Sequence, residues 1–156
     1  MLERRTVTRN TLWPLINLAV RPDQSDLVSP NIRTFAEVPF EPGACVWGLW
    51  DGTTPVGLMA MVDPDGVKAN GPFLDPEAAY LWRLMIAAGH QGQGFGAQAI
   101  DLALQTARDW RAPRLVVGVR DAPHGNRGFY ERHGFRDSGV IEDGDRLFVL
   151  DLAVRE

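Results

Sequence analysis

Cysteine and lysine are each present once in the 156 residues, as Cys45 and Lys68. A lone cysteine excludes an intramolecular disulfide and any zinc site built from several thiolates. Cys45 lies in the apolar run ACVWGLW, where a small buried hydrophobe is the ordinary reading. Arginine takes lysine's place, which by itself says nothing about function. Excess positive charge is missing too: the formal net charge is −4, so nothing points to nucleic acid as a partner. A mildly acidic chain is compatible with a cationic small substrate. No apolar run reaches membrane-spanning length, and MLERRTVTRN lacks the apolar core of a secretory leader, so no membrane partner and a cytoplasmic location are expected. His90, His124 and His133 have no metal-ligand spacing with acidic or cysteine partners. No metal is expected, and the histidines read as surface or loop residues. Repeats, linkers and low-complexity tracts are also absent.

What remains is ordinary globular material, 45% hydrophobic and 23% charged, enough for one domain over residues 1–156 with a sizeable core. RTVTRNTLWPLINLAV reads as a short strand and a helix, capped by Thr8 or Asn10, with Pro14 in its first turn. A second short helix is expected over about Asn31 to Val38. ACVWGLWDGTTPVGLMAMVDPDG reads as a hairpin turning at DGTTP, and VKANGPFLDPE as a polar loop. AAYLWRLMIAAG is nearly all apolar, as in the centre of a sheet. GAQAIDLALQTARDW is the clearest helix, with Ala97, Ile100, Leu104 and Ala107 at helical spacing. PRLVVGVRD reads as a buried strand, GNRGFYERHGF as a short helix ending near Gly134, and SGVIEDGDRLFVLDL as a hairpin turning at EDGD. The fold class is therefore α/β (α+β): a mixed, mostly antiparallel sheet flanked by helices, with one strand–helix–strand crossover in the middle.

HQGQGFGAQAI places three glycines in five residues between the central strand and the clearest helix. A helix start offers unpaired backbone N–H groups and the positive end of the dipole, and glycines let those groups close around a phosphate. A P-loop is excluded, because neither lysine nor Ser/Thr ends the motif. Gly92, Gly94 and Ala97 match the G-x-G-x-x-A spacing of a dinucleotide loop. However, the acidic residue after the next strand, Asp121, comes slightly late, and the N-terminal half lacks repeated strand–helix units. A structural turn is the third reading. A fourth is the pattern Q/R-x-x-G-x-G/A, carried by Gln91, Gly94 and Gly96.

Taken with FYERHGF one strand–helix–strand unit later, that pattern resembles the GNAT superfamily of acetyl-coenzyme A-dependent N-acyltransferases, and the order of elements agrees over essentially the whole chain. Three stretches, QSDLVSPNIRTFAEV, YLWRLMIAAGHQGQGFG and GFYERHGFRDSGVIEDGD, look more narrowly like the bacterial spermine/spermidine (diamine) acetyltransferases of that superfamily. The resemblance implies a GNAT-like domain whose central strands splay apart, acetyl-coenzyme A as co-substrate, and a small-molecule amine, such as a polyamine, as acceptor. The oligomeric state is left open, a homodimer included. By resemblance the pyrophosphate lies on the loop Gln91, Gly92, Gln93, Gly94, Phe95, Gly96 and Ala97. The main chain of Leu84 and Ile86 holds the donor arm, and one of these or Met85 supplies the N–H facing the thioester oxygen.

Tyr130 is the candidate acid for the leaving sulfur: a phenol titrates above a thiol and can donate to a thiolate at neutral pH. Asn126 either contacts the coenzyme or caps the helix, although many relatives place their asparagine further upstream. No base is evident. Some relatives carry a glutamate in the central strand where this chain has Trp82, which leaves Glu37, Asp75 and Glu77 as carboxylates that could act directly or through water; no base is needed if the amine arrives neutral. By resemblance Asp26, Glu37 and Trp82 line the acceptor site, since a flexible cation is suited by carboxylates and an aromatic face. Arg83 alternates with Trp82 and is expected on the other side of the strand. A coenzyme A-binding module without catalysis and a dinucleotide-binding oxidoreductase remain as alternatives.

Overall fold

The computed structural model describes residues 1–69 and 75–152. Part of the polar loop VKANGPFLDPE, residues 70–74, lies outside the described residues. The order is β1 (Leu2–Thr6), α1 (Leu12–Ile16), α2 (Asn31–Glu37), β2 (Ala44–Asp51), β3 (Thr54–Val62), α3 (Pro64–Ala69), β4 (Ala79–Ile86), α4 (Phe95–Asp109), β5 (Arg114–Arg120), α5 (Arg127–Arg132), β6 (Arg136–Glu142) and β7 (Asp145–Asp151). Seven strands form one sheet in the order β1-β2-β3-β4-β5-β7-β6. Only β4 and β5 run parallel, joined by the α4 crossover; every other neighbouring pair is antiparallel.

Local chemistry accounts for these elements. The β6–β7 turn is made by Asp143 and Gly144, both at positive φ (51° and 82°), the pairing of residues that a tight hairpin of the right twist requires. In α1 the N-cap is Thr11, not Thr8 or Asn10; its Oγ1 accepts the Thr8 N–H (2.8 Å). The short helix α3 falls where the sequence reads as the end of a hairpin and a loop. Six residues with a proline and a glycine carry too little periodicity to announce a helix, but the Asp63 carboxylate accepts the Gly66 N–H (2.8 Å) and starts it. Helix α4 buries Phe95, Ala99, Ile100, Ala103, Thr106 and Ala107, with Ala97 and Leu104 at the edge of that stripe. The alanines let it lie close against Ala79, Leu81, Leu115 and Val117. On the opposite face α1 and α2 cover Leu58 and Met85. Cys45 is half-buried rather than a core residue.

Two irregularities in β4 shape everything that follows. Ala60 pairs with Arg83 and Met61 with Leu81, so Trp82 is an extra, bulged residue. The bulge reverses the alternation: Ala79 and Leu81 face α4 before it, Leu84 and Ile86 after it. The second irregularity is that β4 pairs with β5 only at Ala79–Leu81 opposite Leu115–Val117. Beyond those three residues the strands part, and Gly118–Arg120 stay paired with β7 alone. The result is a notch between the C-terminal halves of β4 and β5. No helix among the described residues is long and apolar enough to cross a membrane.

The notch depends on β4 staying tight against β3. Gly57 lies opposite Ile86, and a side chain there would collide with the Met85 carbonyl oxygen and come within 3.1 Å of Ile86 Cδ1. Gly57→Ala is therefore expected to destabilise the protein by roughly 1–3 kcal/mol in urea unfolding; unchanged stability would show that β3 and β4 are not closely held.

Candidate active site

A groove of about 480 Å³ lies on the α4 side of the notch. Its wall is the loop from Ile86 to α4. Gly92 and Gly94 take φ of 76° and 83°, which a side chain would strain, and the space where their Cβ atoms would sit is open. Gly96 is small for a different reason: a Cβ there would press on the Phe129 ring at 3.2 Å. Gly94 is the N-cap of α4 and no side chain caps it. The Gln98 N–H is the first one bonded into the helix, to Gly94 O (3.2 Å). The N–H groups of Gly92 to Ala97 before it have no partner among the described residues. This run of donors at the positive end of a fifteen-residue helix suits an anion such as pyrophosphate.

Gln91, Gly92, Gly94, Phe95, Gly96 and Ala97 line this groove, with Leu84, Met85 and Ile86 along its floor; Gln93 is exposed and does not line it. The Gln91 side chain is fully engaged within the protein. Its Nε2 donates to Ile86 O (3.0 Å) and Gln24 Oε1 (2.9 Å), and its Oε1 accepts from Arg21 (3.0 Å). It therefore braces the loop against the segment before α2 rather than reaching into the groove. Just beyond β4, Ala87 N–H donates to Val56 O (2.8 Å), and the alternation of an antiparallel ladder then turns the Met85 main-chain groups toward β3 and those of Leu84 and Ile86 toward the notch. The Met85 main chain is thus spent on β3, which corrects the expectation that it could supply an N–H to the donor. Ile86 O is taken by Gln91, whereas the Leu84 N–H and C=O have no loop or side-chain partner among the described residues.

Tyr130 stands where groove and notch meet. Its position is fixed by the end of α5. Gly134 at φ 91° lets Phe135 N–H bond Tyr130 O and Gly134 N–H bond Glu131 O, both at 3.1 Å, the Schellman pattern. The Tyr130 and Phe135 rings meet edge-on at 5.5 Å, and Phe129 adds a second ring at 5.1 Å. The phenol is buried, and its hydroxyl makes no hydrogen bond among the described residues. Burial, reinforced by Tyr80, pushes its pKa well above the ordinary tyrosine value, so it stays protonated. Asn126 precedes α5 but makes no side-chain cap bond, so helix capping does not explain it; it lines both notch and groove.

Through the notch, a narrow opening of about 40 Å³ between Trp82, Leu84, Gly118 and Tyr130, the groove meets a wider basin of about 750 Å³ on the other face of the sheet. Leu27 and Val28 roof all three spaces. Asp26, Glu37 and Trp82 line the basin together with Glu41, Glu142, Asp143 and Asp145, against Arg33, Arg83 and Arg120. Arg83 does not face away from Trp82. Its guanidinium stacks on the indole (4.4 Å), because the bulge puts both side chains on one side, and it bonds Thr34 (3.1 Å) and Glu37 (3.2 Å). Burial works to raise the Glu37 pKa, but Arg33 and Arg83 outweigh it and hold the carboxylate below its usual range. Asp26 is joined to His124 (2.8 Å) across the basin's rim.

Asp75 and Glu77 are not at the site. Both pair with Arg114 at the start of β5, the end away from the notch, and the Arg114 hydrogen bond holds Asp75 below the usual carboxylate range. The histidines are surface or loop residues, as expected; His90 and His133 also line the groove, and His133 packs on Phe129 (4.8 Å). Sequence reasoning missed Gly118, Arg132 and Asp145. Gly118 had a signal: an isolated glycine inside the strand LVVGVR marks a close approach.

Comparison with known proteins agrees with this geometry. The Acetyltransferase (GNAT) family matches residues 12–135. N-acetyltransferase 8B of Homo sapiens is 25% identical over 124 residues, 80% of this chain and 49% of that protein; the chain spans about half the length of that relative. An acetyltransferase from Thermus thermophilus superposes with a TM-score of 0.70 at 24% identity, covering 97% of each chain. The PaiA N-acetyltransferase of Thermoplasma acidophilum, in complex with coenzyme A, gives 0.68 at 13% identity over 97% of this chain and 99% of that one. On a match that runs from α1 through the end of α5, the chain belongs to the GNAT acetyltransferase family.

Proposed function

We propose that the chain transfers acetyl from acetyl-coenzyme A to a primary amine of a small cationic acceptor, of the polyamine kind exemplified by spermidine and spermine, with both substrates bound at once. The observation that carries this reading is the notch: it opens one side of the sheet to the other at Tyr130, so a donor in the groove and an acceptor in the basin can meet without leaving the protein. The free N–H groups of Gly92 to Ala97 would take the pyrophosphate, and the Leu84 N–H would face the thioester oxygen as charge builds there. Tyr130 would give its proton to the departing sulfur. Its raised pKa keeps that proton on the phenol until the carbon–sulfur bond breaks and negative charge gathers on the sulfur beside it. Asn126 would hydrogen-bond the donor's arm, a reading supported by its lining both notch and groove.

The acceptor class is supported by the basin. Among the described residues six carboxylates line it (Asp26, Glu37, Glu41, Glu142, Asp143 and Asp145) with the Trp82 indole, against the three arginines Arg33, Arg83 and Arg120, a balance that favours a cation. The Tyr80 phenol in the same wall adds no charge: burial and then the charges of Asp145 and Glu142 push its pKa up to about 12, so it stays neutral. One unpaired cysteine suits a reducing, cytoplasmic setting.

One observation favours a second reading, a coenzyme A-binding module without catalysis: β4 carries no carboxylate, and Trp82 stands where some relatives place a glutamate. Incubation with acetyl-coenzyme A and a panel of amines, following free thiol, separates the two. Thiol release with spermidine or spermine is expected. Release only with aminoglycosides, amino acids or peptide N-termini would overturn the polyamine assignment, and tight coenzyme A binding with no release across the panel would favour the non-catalytic reading. In the same assay Tyr130→Phe is expected to lower kcat roughly 100-fold while leaving the Kd for coenzyme A unchanged; an unchanged kcat would remove Tyr130 as the acid.

A further inference from the structure

The acetyl-transfer reading leaves the ammonium proton of the acceptor without a destination. Of the carboxylates lining the basin, Glu37 is held by Arg33 and Arg83, and Asp26 by His124, while Glu41 precedes β2, three strands from β5 in the sheet. Glu142 and Asp143 stand exposed on the β6–β7 turn. Asp145 is paired as well, with Arg120, but it differs in its place beside the notch. It is the first residue of β7, the cross-strand partner of Arg120, and only partly exposed. Its carboxylate reaches beside Gly118, the one β5 residue at this point with no side chain, and Gly118 borders both the notch and the basin. A Cβ at Gly118 would lie 2.9 Å from the Tyr80 hydroxyl and 3.4 Å from Asp145 Oδ2. The Tyr80 phenol and the Asp145 carboxylate therefore pack against the bare backbone of Gly118, in the wall of the basin beside the notch.

Resting on the acetyl-transfer reading, we propose that Asp145 is the proton acceptor for the amine, directly or through one water in the basin. The groups facing it are Arg120 on β5, which anchors Oδ1 through Nε (3.3 Å), Tyr80 on β4, and Glu142 and Asp143 in the turn. Burial raises the Asp145 pKa, Arg120 lowers it and Asp143 raises it again; the outcome is above the usual aspartate value, which makes the carboxylate a better base. One ammonium proton passes to Asp145 and from there to solvent. The nitrogen–carbon bond then forms as the carbon–sulfur bond breaks, and Tyr130 protonates the sulfur. A second nitrogen proton restores the phenol, and the third stays in the amide.

The test is the pH dependence of kcat/KM for spermidine. With a working base, the wild-type value levels off around neutral pH, because ionised Asp145 accepts the proton of the bound ammonium. In Asp145→Asn only the scarce neutral amine can react. At pH 7 the value is expected to fall about 100-fold and then to rise about tenfold per pH unit into the alkaline range. Asp145→Glu is expected to keep the plateau, and the coenzyme A-induced rise in Tm is expected to be the same in all three proteins, showing an intact fold and donor groove. A plateau retained by the Asn variant, or lost equally by the Glu variant, would overturn the assignment of Asp145 while leaving acetyl transfer standing. Absence of thiol release by the wild-type protein with every amine would overturn acetyl transfer itself, and Asp145's role with it.

Discussion

Parallel pairing between β4 and β5 stops after Leu81 and Val117, and the backbone groups beyond that point must find other partners. This is the constraint from which the rest of the site follows. The Trp82 bulge turns Leu84 and Ile86 toward α4, so the edge of β4 that lacks a strand neighbour becomes the floor of the groove. Gln91 satisfies the Ile86 carbonyl and holds the glycine loop in place. Gly118 lets the Tyr80 hydroxyl and Asp145 pack close against β5 beside the notch. A notch maintained in this way links two spaces of opposite character: a groove walled by backbone donors, and a basin rich in carboxylates.

The two sides are tuned by different physics. On the groove side the working groups are fixed dipoles, N–H groups at a helix start, whose placement depends on glycine conformation and not on charged side chains. On the basin side the groups are charges, and their neighbours decide what each can do. Arg33 and Arg83 commit Glu37 to structure, whereas burial beside Gly118 leaves Asp145 more basic than an exposed aspartate. Tyr130 sits between the two regimes. The Schellman end of α5 and the rings of Phe129 and Phe135 hold it, and burial keeps it protonated.

Much of this was legible in the sequence. Apolar runs and turn residues marked β2 to β7, and helical spacing marked α4, because those signals are local; β1, with the mostly polar sequence LERRT, begins three residues before the strand expected from Arg5. The glycine loop was legible because Gly92 and Gly94 are needed for backbone reasons that do not depend on distant contacts. The parts that were not legible depend on tertiary neighbours. Alternation placed Arg83 away from Trp82, and a one-residue bulge reversed it. Asp75 and Glu77 are close in sequence to β4, but Arg114 holds them at its far end. Asp145 lies more than sixty positions from Trp82, and only the pairing of β7 with β5 carries it to the basin.

A crystal structure of the protein with coenzyme A bound tests the central claim, that the β4–β5 notch joins donor and acceptor, most directly. The pyrophosphate is expected within hydrogen-bond distance of the N–H groups of Gly92 to Ala97, with the donor arm along Leu84 and the sulfur beside the Tyr130 hydroxyl. A sulfur that ends away from the notch, or a pyrophosphate bound on another face of the protein, would contradict it.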